Sequence, residues 1–197
     1  TQIFDTKQLK GTAICSEILG MALIKGGTFA MGAGAVYPEE MPIIQRQVTD
    51  FYMDRHEVTN LQFAEFITAT GYVTIAQRVP SAEDYPDIPH ELFKAGSAVF
   101  VKLSQALEAK SFINWWHFTE GAYWKSPLGP GSTIEGKAYF PVIHIAYDDA
   151  LAYAAWKGEW LPTEAEYENA RRGGLDSAKY ANGSSLTGNG NYLTNKW

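Results

Sequence analysis

The side chains able to do acid–base or metal chemistry fall in a few places along this chain. Asp148, Asp149, Glu164, Glu166 and Glu168 form a run of carboxylates. Paired carboxylates can serve as general acid and base. Acids also collect at helix starts, where the positive end of the peptide dipoles favours them, and these five sit at two such starts. The four histidines, His56, His90, His117 and His144, never approach the i, i+4 spacing or the short Cys/His spacings of a metal site. His144 alternates with Val142 and Ala146 in PVIHIAYDD, which points to a hydrogen-bonded interior histidine rather than a ligand. The single cysteine, Cys15, forbids a disulfide within the chain and any multi-thiolate metal site, and reads as a small buried or incidental residue. The aromatic run Trp115, Trp116, Phe118, Tyr123 and Trp124 offers large apolar faces with polar tips. Such rings pin irregular backbone in a core, the default reading, or line a groove for a peptide.

The elements that must position these groups are marked by their ends. In LPTEAEYENARRGG (161–174), Thr163 and Glu166 stand at capping-box spacing, Arg171 and Arg172 lie at the dipole's negative end, and Gly173 can take the left-handed stop. In EVTNLQFAEFITATGY, Thr59 and Gln62 repeat the box, Phe63, Phe66 and Ile67 share a face, and Gly71 closes the run. In YDDALAYAAWKGEW, Asp148 or Asp149 is the expected cap, Leu151, Ala155 and Trp156 the expected inward face, and Gly158 the stop. Strands are expected at 21–24, 28–31, 47–53, 98–103 and 142–146, from β-branched and aromatic residues near turn signals. Between 72 and 141, Pro80, Pro86, Pro89, Pro127, Pro130 and Pro141 interrupt every period, so a long irregular middle is expected.

Length and composition set the limits. With 197 residues, 46% of them hydrophobic and 14% aromatic, the chain can fill one domain. A net charge of −6 without a Lys/Arg run argues against a nucleic-acid surface. The apolar stretches, such as Ile18 to Ile24, are broken and far shorter than the ~20 residues that span a bilayer. No basic start followed by an apolar core opens the chain, which leaves a cytoplasmic and an exported protein equally open.

Several stretches in order resemble the Cα-formylglycine-generating enzyme family, the sulfatase-modifying factors. They are IKGGTFAMGAG (24–34), YPEE, FYMDRHEVTNLQFAEFITATGYVTIAQR, DYPDIPHELFKAGSAVF, WWHFTEGAYWKSPLGPGST and PVIHIAYDDALAYAAWKGEWLPTEAEYENARRGG (141–174). The resemblance implies an α+β fold with few short strands and about three helices, distantly C-type-lectin-like, occupying residues 21–197 behind an extension at 1–20. It implies oxidation by O2 of a cysteine in an unfolded sulfatase segment to formylglycine, with Trp115, Trp116, Tyr123 and Trp124 as expected peptide contacts.

The family's chemistry resembles copper(I)–dithiolate catalysis, thiolate being the ligand that copper(I) prefers. Its cysteine pair lies beyond the matched stretch, so copper is expected only if another segment or chain supplies two cysteines. TNKW (194–197) resembles the start of a structural calcium site with Asn195 and Lys196 as oxygen ligands. Calcium takes six to eight oxygens, so this would be a partial site; an ordinary turn in GNGNYLTN is the alternative. Departures from the family pattern are Ile44 for His, Trp160 for Arg or Lys, Tyr167 and Asn169 for two aromatics, and Asn182 for the Trp of Tyr-x-Trp-Gly. They permit two other readings: a non-catalytic binding or scaffold paralogue, and a cysteine-independent tailoring enzyme such as one of pyoverdine maturation. An iron-dependent sulfoxide synthase would need an added helical domain that the first 20 residues are too short to supply.

Overall fold

The computed structural model describes residues 20–34, 37–83, 85–87, 89–102, 115–175, 178, 180–185, 187–188 and 191–192. It is a mixed α+β structure with little regular backbone. Its strands are β1 (Met21–Ile24), β2 (Gly27–Met31), β3 (Ile44–Val48), β4 (Phe51–Asp54), β5 (Gly96–Phe100), β6 (Trp116–Glu120), β7 (Thr187–Gly188) and β8 (Asn191–Tyr192). Its helices are α1 (Asn60–Thr70), α2 (Tyr147–Lys157) and α3 (Glu164–Arg172). The strands pair antiparallel as β1–β4, β2–β3, β5–β6 and β7–β8. The chain divides into two compact units, one of residues 1–56 with 162–197 and one of residues 57–161.

In the unit of residues 57–161, α1 forms because Thr59 and Gln62 cap each other. The Thr59 N–H donates to Gln62 Oε1 at 2.9 Å, and the Gln62 N–H to Thr59 Oγ1 at 3.3 Å. The next free donors, the N–H groups of Asn60 and Leu61, reach the carbonyls of Phe140 (3.0 Å) and Ala138 (2.9 Å). Gly71 ends the helix at φ 67°. The buried face carries Phe63 and Phe66, which meet Trp124 and Tyr153 in one aromatic core with Ile67 packed against it.

The start of α2 differs from expectation. Ala146 is its N-cap, and Asp149, three residues on, turns back to accept the Ala146 N–H at 2.9 Å. The same carboxylate, fully buried, accepts the Ile75 N–H (2.9 Å) and the Tyr72 hydroxyl (3.0 Å). This anchor sets the helix phase. Leu151, about 200° round from Asp149 at 3.6 residues per turn, is exposed along with Ala155, while Tyr153 and Ala154 are buried. Trp156 keeps part of the expected role, its ring 5.6 Å from Phe66 and 5.9 Å from Tyr153 between centroids.

Burial, and then the hydrogen bond to Asp149, raise the Tyr72 pKa above its ordinary value. The folded protein therefore holds that proton to higher pH than the unfolded chain does. The associated stability is complete below the ordinary tyrosine value and lost as pH rises through the folded one. Denaturation series between about pH 9 and 11 are expected to show stability falling more steeply for the parent than for Tyr72→Phe.

The expected strand at 142–146 is absent. Pro141 makes an isolated bridge with Thr59, and His144 adopts φ 60°, outside the extended region. The expected strand at 47–53 is two strands, β3 and β4, parted at Thr49 and Asp50 and paired with different partners. The expected strand at 98–103 begins earlier, at Gly96, and ends at Phe100; β6 lies in the middle that was expected to be irregular.

In the unit of residues 1–56 and 162–197, β2–β3 nests inside β1–β4. Gly26 makes the corner possible, since a Cβ there would come within 2.3 Å of the Val48 carbonyl oxygen. The α3 capping box forms as expected, with the Thr163 N–H to Glu166 Oε2 at 2.8 Å and the Glu166 N–H to Thr163 Oγ1 at 3.3 Å. The helix stops at Gly173, φ 56°. It packs on β2 and β3. Asn169 Nδ2 donates to the Lys25 carbonyl at 3.1 Å, which stitches the helix to the β1–β2 corner. Asn182 donates through Nδ2 to the Ser185 carbonyl at 3.2 Å.

Candidate peptide-binding surface

The aromatic residues of the middle segment divide between inside and outside. Trp124 is 4% exposed. Its ring meets Phe63 edge-on at 5.5 Å between centroids, so it serves the core and is withdrawn from the surface where a peptide contact was expected. Tyr123 is half-buried. It forms a tight turn with Ser126, their backbone groups exchanging hydrogen bonds of 3.3 and 3.0 Å, and stands edge-on to Trp124. Trp115 and Trp116 are 38% and 46% exposed.

The β5–β6 register explains the exposed pair. Phe100 lies opposite Trp116, Ala98 opposite Phe118 and Gly96 opposite Glu120. Alternation places these three pairs on one face and the Val99–His117 and Ser97–Thr119 pairs on the other. The second face holds the buried Val99. The first carries Trp116 and Phe118, the latter 61% exposed. Phe100 stands between two tryptophans, 6.0 Å from Trp115 and 5.4 Å from Trp116, with interplanar angles of 65° and 67°. Edge-to-face packing of this kind is favourable and leaves the outer indole faces open. At the end of the hairpin Lys94 and Glu120 pair at 2.7 Å, both exposed. Phe100 was not singled out in the sequence, and Phe118 only as one of the aromatic run; the alternation of Trp116, Phe118 and Glu120 with His117 and Thr119 was the signal available for the strand.

His144 holds this hairpin from behind. Its Nδ1 lies 2.8 Å from Ser97 Oγ and its Nε2 2.8 Å from the Pro127 carbonyl oxygen. A carbonyl only accepts, so Nε2 carries the proton and Nδ1 of the neutral ring accepts from the serine. Both ring nitrogens are thus occupied within the protein, which matches the hydrogen-bonded reading of this residue. Among the described residues no three His, Cys, Asp or Glu side chains are placed to hold a metal ion. Asn195, Lys196 and Cys15 lie outside the described residues. Among those described, no helix is long and apolar enough to cross a membrane.

A mixed α+β protein poor in regular structure, with an exposed aromatic strand pair, is the class that this geometry defines. Residues 7–197 match the family model described as the sulfatase-modifying factor enzyme 1-like domain, and the chain belongs to that family. It is 42% identical over 174 residues to a formylglycine-generating enzyme of Mycobacterium tuberculosis, covering 88% of this chain and 58% of that protein. It is 43% identical over 182 residues to the Thermomonospora curvata formylglycine-generating enzyme, covering 90% of this chain and 57% of the other. It is also 34% identical over 185 residues to an inactive Cα-formylglycine-generating enzyme 2 of Bos taurus, covering 92% of this chain and 57% of that protein. The chain therefore spans somewhat over half the length of these relatives.

Proposed function

We propose that these residues form the peptide-engaging portion of a sulfatase-modifying oxidase, one that converts a cysteine of an unfolded sulfatase-like protein to formylglycine with O2. Membership of the family supports the reaction class. The observation that carries the binding role is the Phe100 ring set between the exposed indoles of Trp115 and Trp116, with Tyr123 as a further contact. Flat amphipathic rings bind extended chains at low conformational cost.

The redox step lies outside these residues. A cuprous ion wants paired thiolates, and the chain has one cysteine. Copper belongs to this proposal only with two cysteines brought by a complementary segment, and no step is assigned to it. A structural calcium site begun by Asn195 and Lys196 would likewise need its remaining oxygens from that segment. A second reading, a non-catalytic paralogue that binds the same kind of peptide, is favoured by the likeness to the inactive relative. A cysteine pair supplied by a complementary segment would support the oxidase, and a complementary segment without one the paralogue.

Titration with an unfolded sulfatase peptide bearing the target cysteine tests the binding role. Trp116→Ala is expected to weaken binding about tenfold or more while the circular dichroism spectrum stays unchanged. Equal affinity in a folded variant removes the proposal. Aldehyde formed in that peptide by this polypeptide alone would overturn the assignment of the redox step.

A further inference from the structure

Among the described residues His144 is the one non-glycine residue with a positive φ, 60°. A side chain in that sparsely used backbone region persists only where its surroundings over-determine it, and such residues cluster at working sites. Both flanks of His144 are tied down. Two residues before it the Val142 N–H donates to the Val58 carbonyl at 2.9 Å, and two residues after it the Ala146 N–H donates to Asp149 at 2.9 Å. Between these anchors the bend brings the imidazole to two places at once, the Ser97 hydroxyl of β5 and the Pro127 carbonyl.

Those two places belong to the two parts of the aromatic surface. Ser97 lies on the back of the β5–β6 pair, three residues before Phe100, whose ring is on the front with the two indoles. Pro127 directly follows the tight turn of Tyr123 and Ser126. Two strands alone are marginal in water, so what grips the back of the pair decides where its front stands. Both contacts, each 2.8 Å, use one rigid ring, so the imidazole itself sets the distance from β5 to the turn.

We propose that His144, acting through Ser97 and Pro127, is a positioning residue for peptide binding. It holds Phe100 and its flanking indoles at a set distance from Tyr123 and, with both ring nitrogens occupied, makes no polar contact with the peptide itself. A binding surface keeps its affinity only while supporting hydrogen bonds lock the elements that carry its contact side chains. Loss of the Ser97 hydroxyl leaves Nδ1 without a donor and frees β5 to shift against the turn. The inference rests on the reading of the aromatic surface as the peptide site and adds the residue that sets its geometry.

The test is the affinity for the unfolded sulfatase peptide in buffer without denaturant, where the folded fraction is close to one and a change in stability alone leaves Kd unmoved. Ser97→Ala is expected to weaken binding about fivefold, the worth of one neutral hydrogen bond, and Ser97→Thr, which keeps the hydroxyl, to restore it. His144→Asn tolerates the left-handed backbone but is too short to reach both partners. It is expected to weaken binding at least as much, with Ser97→Ala adding nothing further to it. In a Tyr123→Ala background the Ser97→Ala effect is expected to vanish, because the distance it maintains no longer leads to a second contact. The ring's nitrogen NMR spectrum should show one neutral tautomer, protonated at Nε2, with a change at Nδ1 in Ser97→Ala. Parent affinity in both Ser97→Ala and His144→Asn beside a weakened Trp116→Ala would overturn this inference and leave the peptide site standing. Equal losses in Ser97→Thr and Ser97→Ala, or a mixture of tautomers, would overturn it too. Unchanged affinity in Trp116→Ala removes the peptide site and this inference with it.

Discussion

Phe63→Ala is expected to lower the unfolding free energy by about 3–5 kcal/mol, a large share of the stability of a domain that has only 5–15 kcal/mol or so to lose. Phe63 is 1% exposed. Its ring lies 5.4 Å from Phe66, 5.5 Å from Trp124 and 6.0 Å from Tyr153 between centroids. Three large rings thus lose a shared partner at once, and they come from α1, from α2 and from the turn after β6. Phe66 and Trp124 meet Phe63 edge-on and Tyr153 stacks on it, and rings held in this way do not slide together to refill the space, so the cavity term adds to the lost transfer free energy. Urea denaturation followed by tryptophan fluorescence reads the effect, since Trp124 reports on this core. The midpoint should fall with little change in slope. A loss below about 1 kcal/mol would mean that the cluster does not hold this unit together. The same substitution in the tryptophan surface, Trp116→Ala, leaves the core intact, and the contrast separates packing rings from binding rings in one family of variants.

What could be read from the sequence was what is decided within four residues. The Thr59–Gln62 and Thr163–Glu166 boxes and the left-handed glycines at 71, 158 and 173 appear where their spacing put them. The phase of α2 escaped because it is fixed from afar: the partners of Asp149 at Tyr72 and Ile75 lie 77 and 74 residues away. The β5–β6 hairpin escaped for the same reason, its strands being separated by residues 101–115. His144 was legible as a hydrogen-bonded residue but not as a bend, because Ser97 and Pro127, which hold its ring, are distant in sequence. Composition could not say which tryptophan faces in. The turn from Tyr123 to Ser126 decides it, placing Trp124 in the core while the β6 register leaves Trp116 outside. The site itself offered no acid–base or metal spacing to recognise. The functional reading came from the order of long motifs, a signal that local physics does not contain.

Arg172→Ala is the other large effect, and it should be local. Arg172 is 6% exposed at the end of α3. Its Nε donates to Glu168 Oε1 at 2.9 Å, and one terminal nitrogen reaches both that carboxylate and the Ala33 carbonyl. The same Glu168 oxygen accepts the Gly32 N–H at 2.9 Å. Gly32 sits at φ 80°, where a Cβ would come within 2.5 Å of the Glu40 carbonyl oxygen, so the loop approaches the helix in a form only glycine allows. Removing the guanidinium strands a largely buried carboxylate and an inward carbonyl together, a loss of about 3–5 kcal/mol when one partner of a buried pair is deleted. Lysine is not a substitute, because a compact ammonium does not reproduce the planar fork that spans carboxylate and carbonyl. The pair should also be non-additive: Glu168→Gln with Arg172→Met should cost less than the two single changes summed, since neither leaves the other's charge unanswered. Phe29 and Ala33 are the buried hydrophobic side chains among this unit's described residues, so the damage should surface there first. Hydrogen exchange is expected to quicken at Gly32, Ala33 and α3 while the amides of α1 keep their protection; uniform quickening across both units would show instead that the ion pair supports the whole chain.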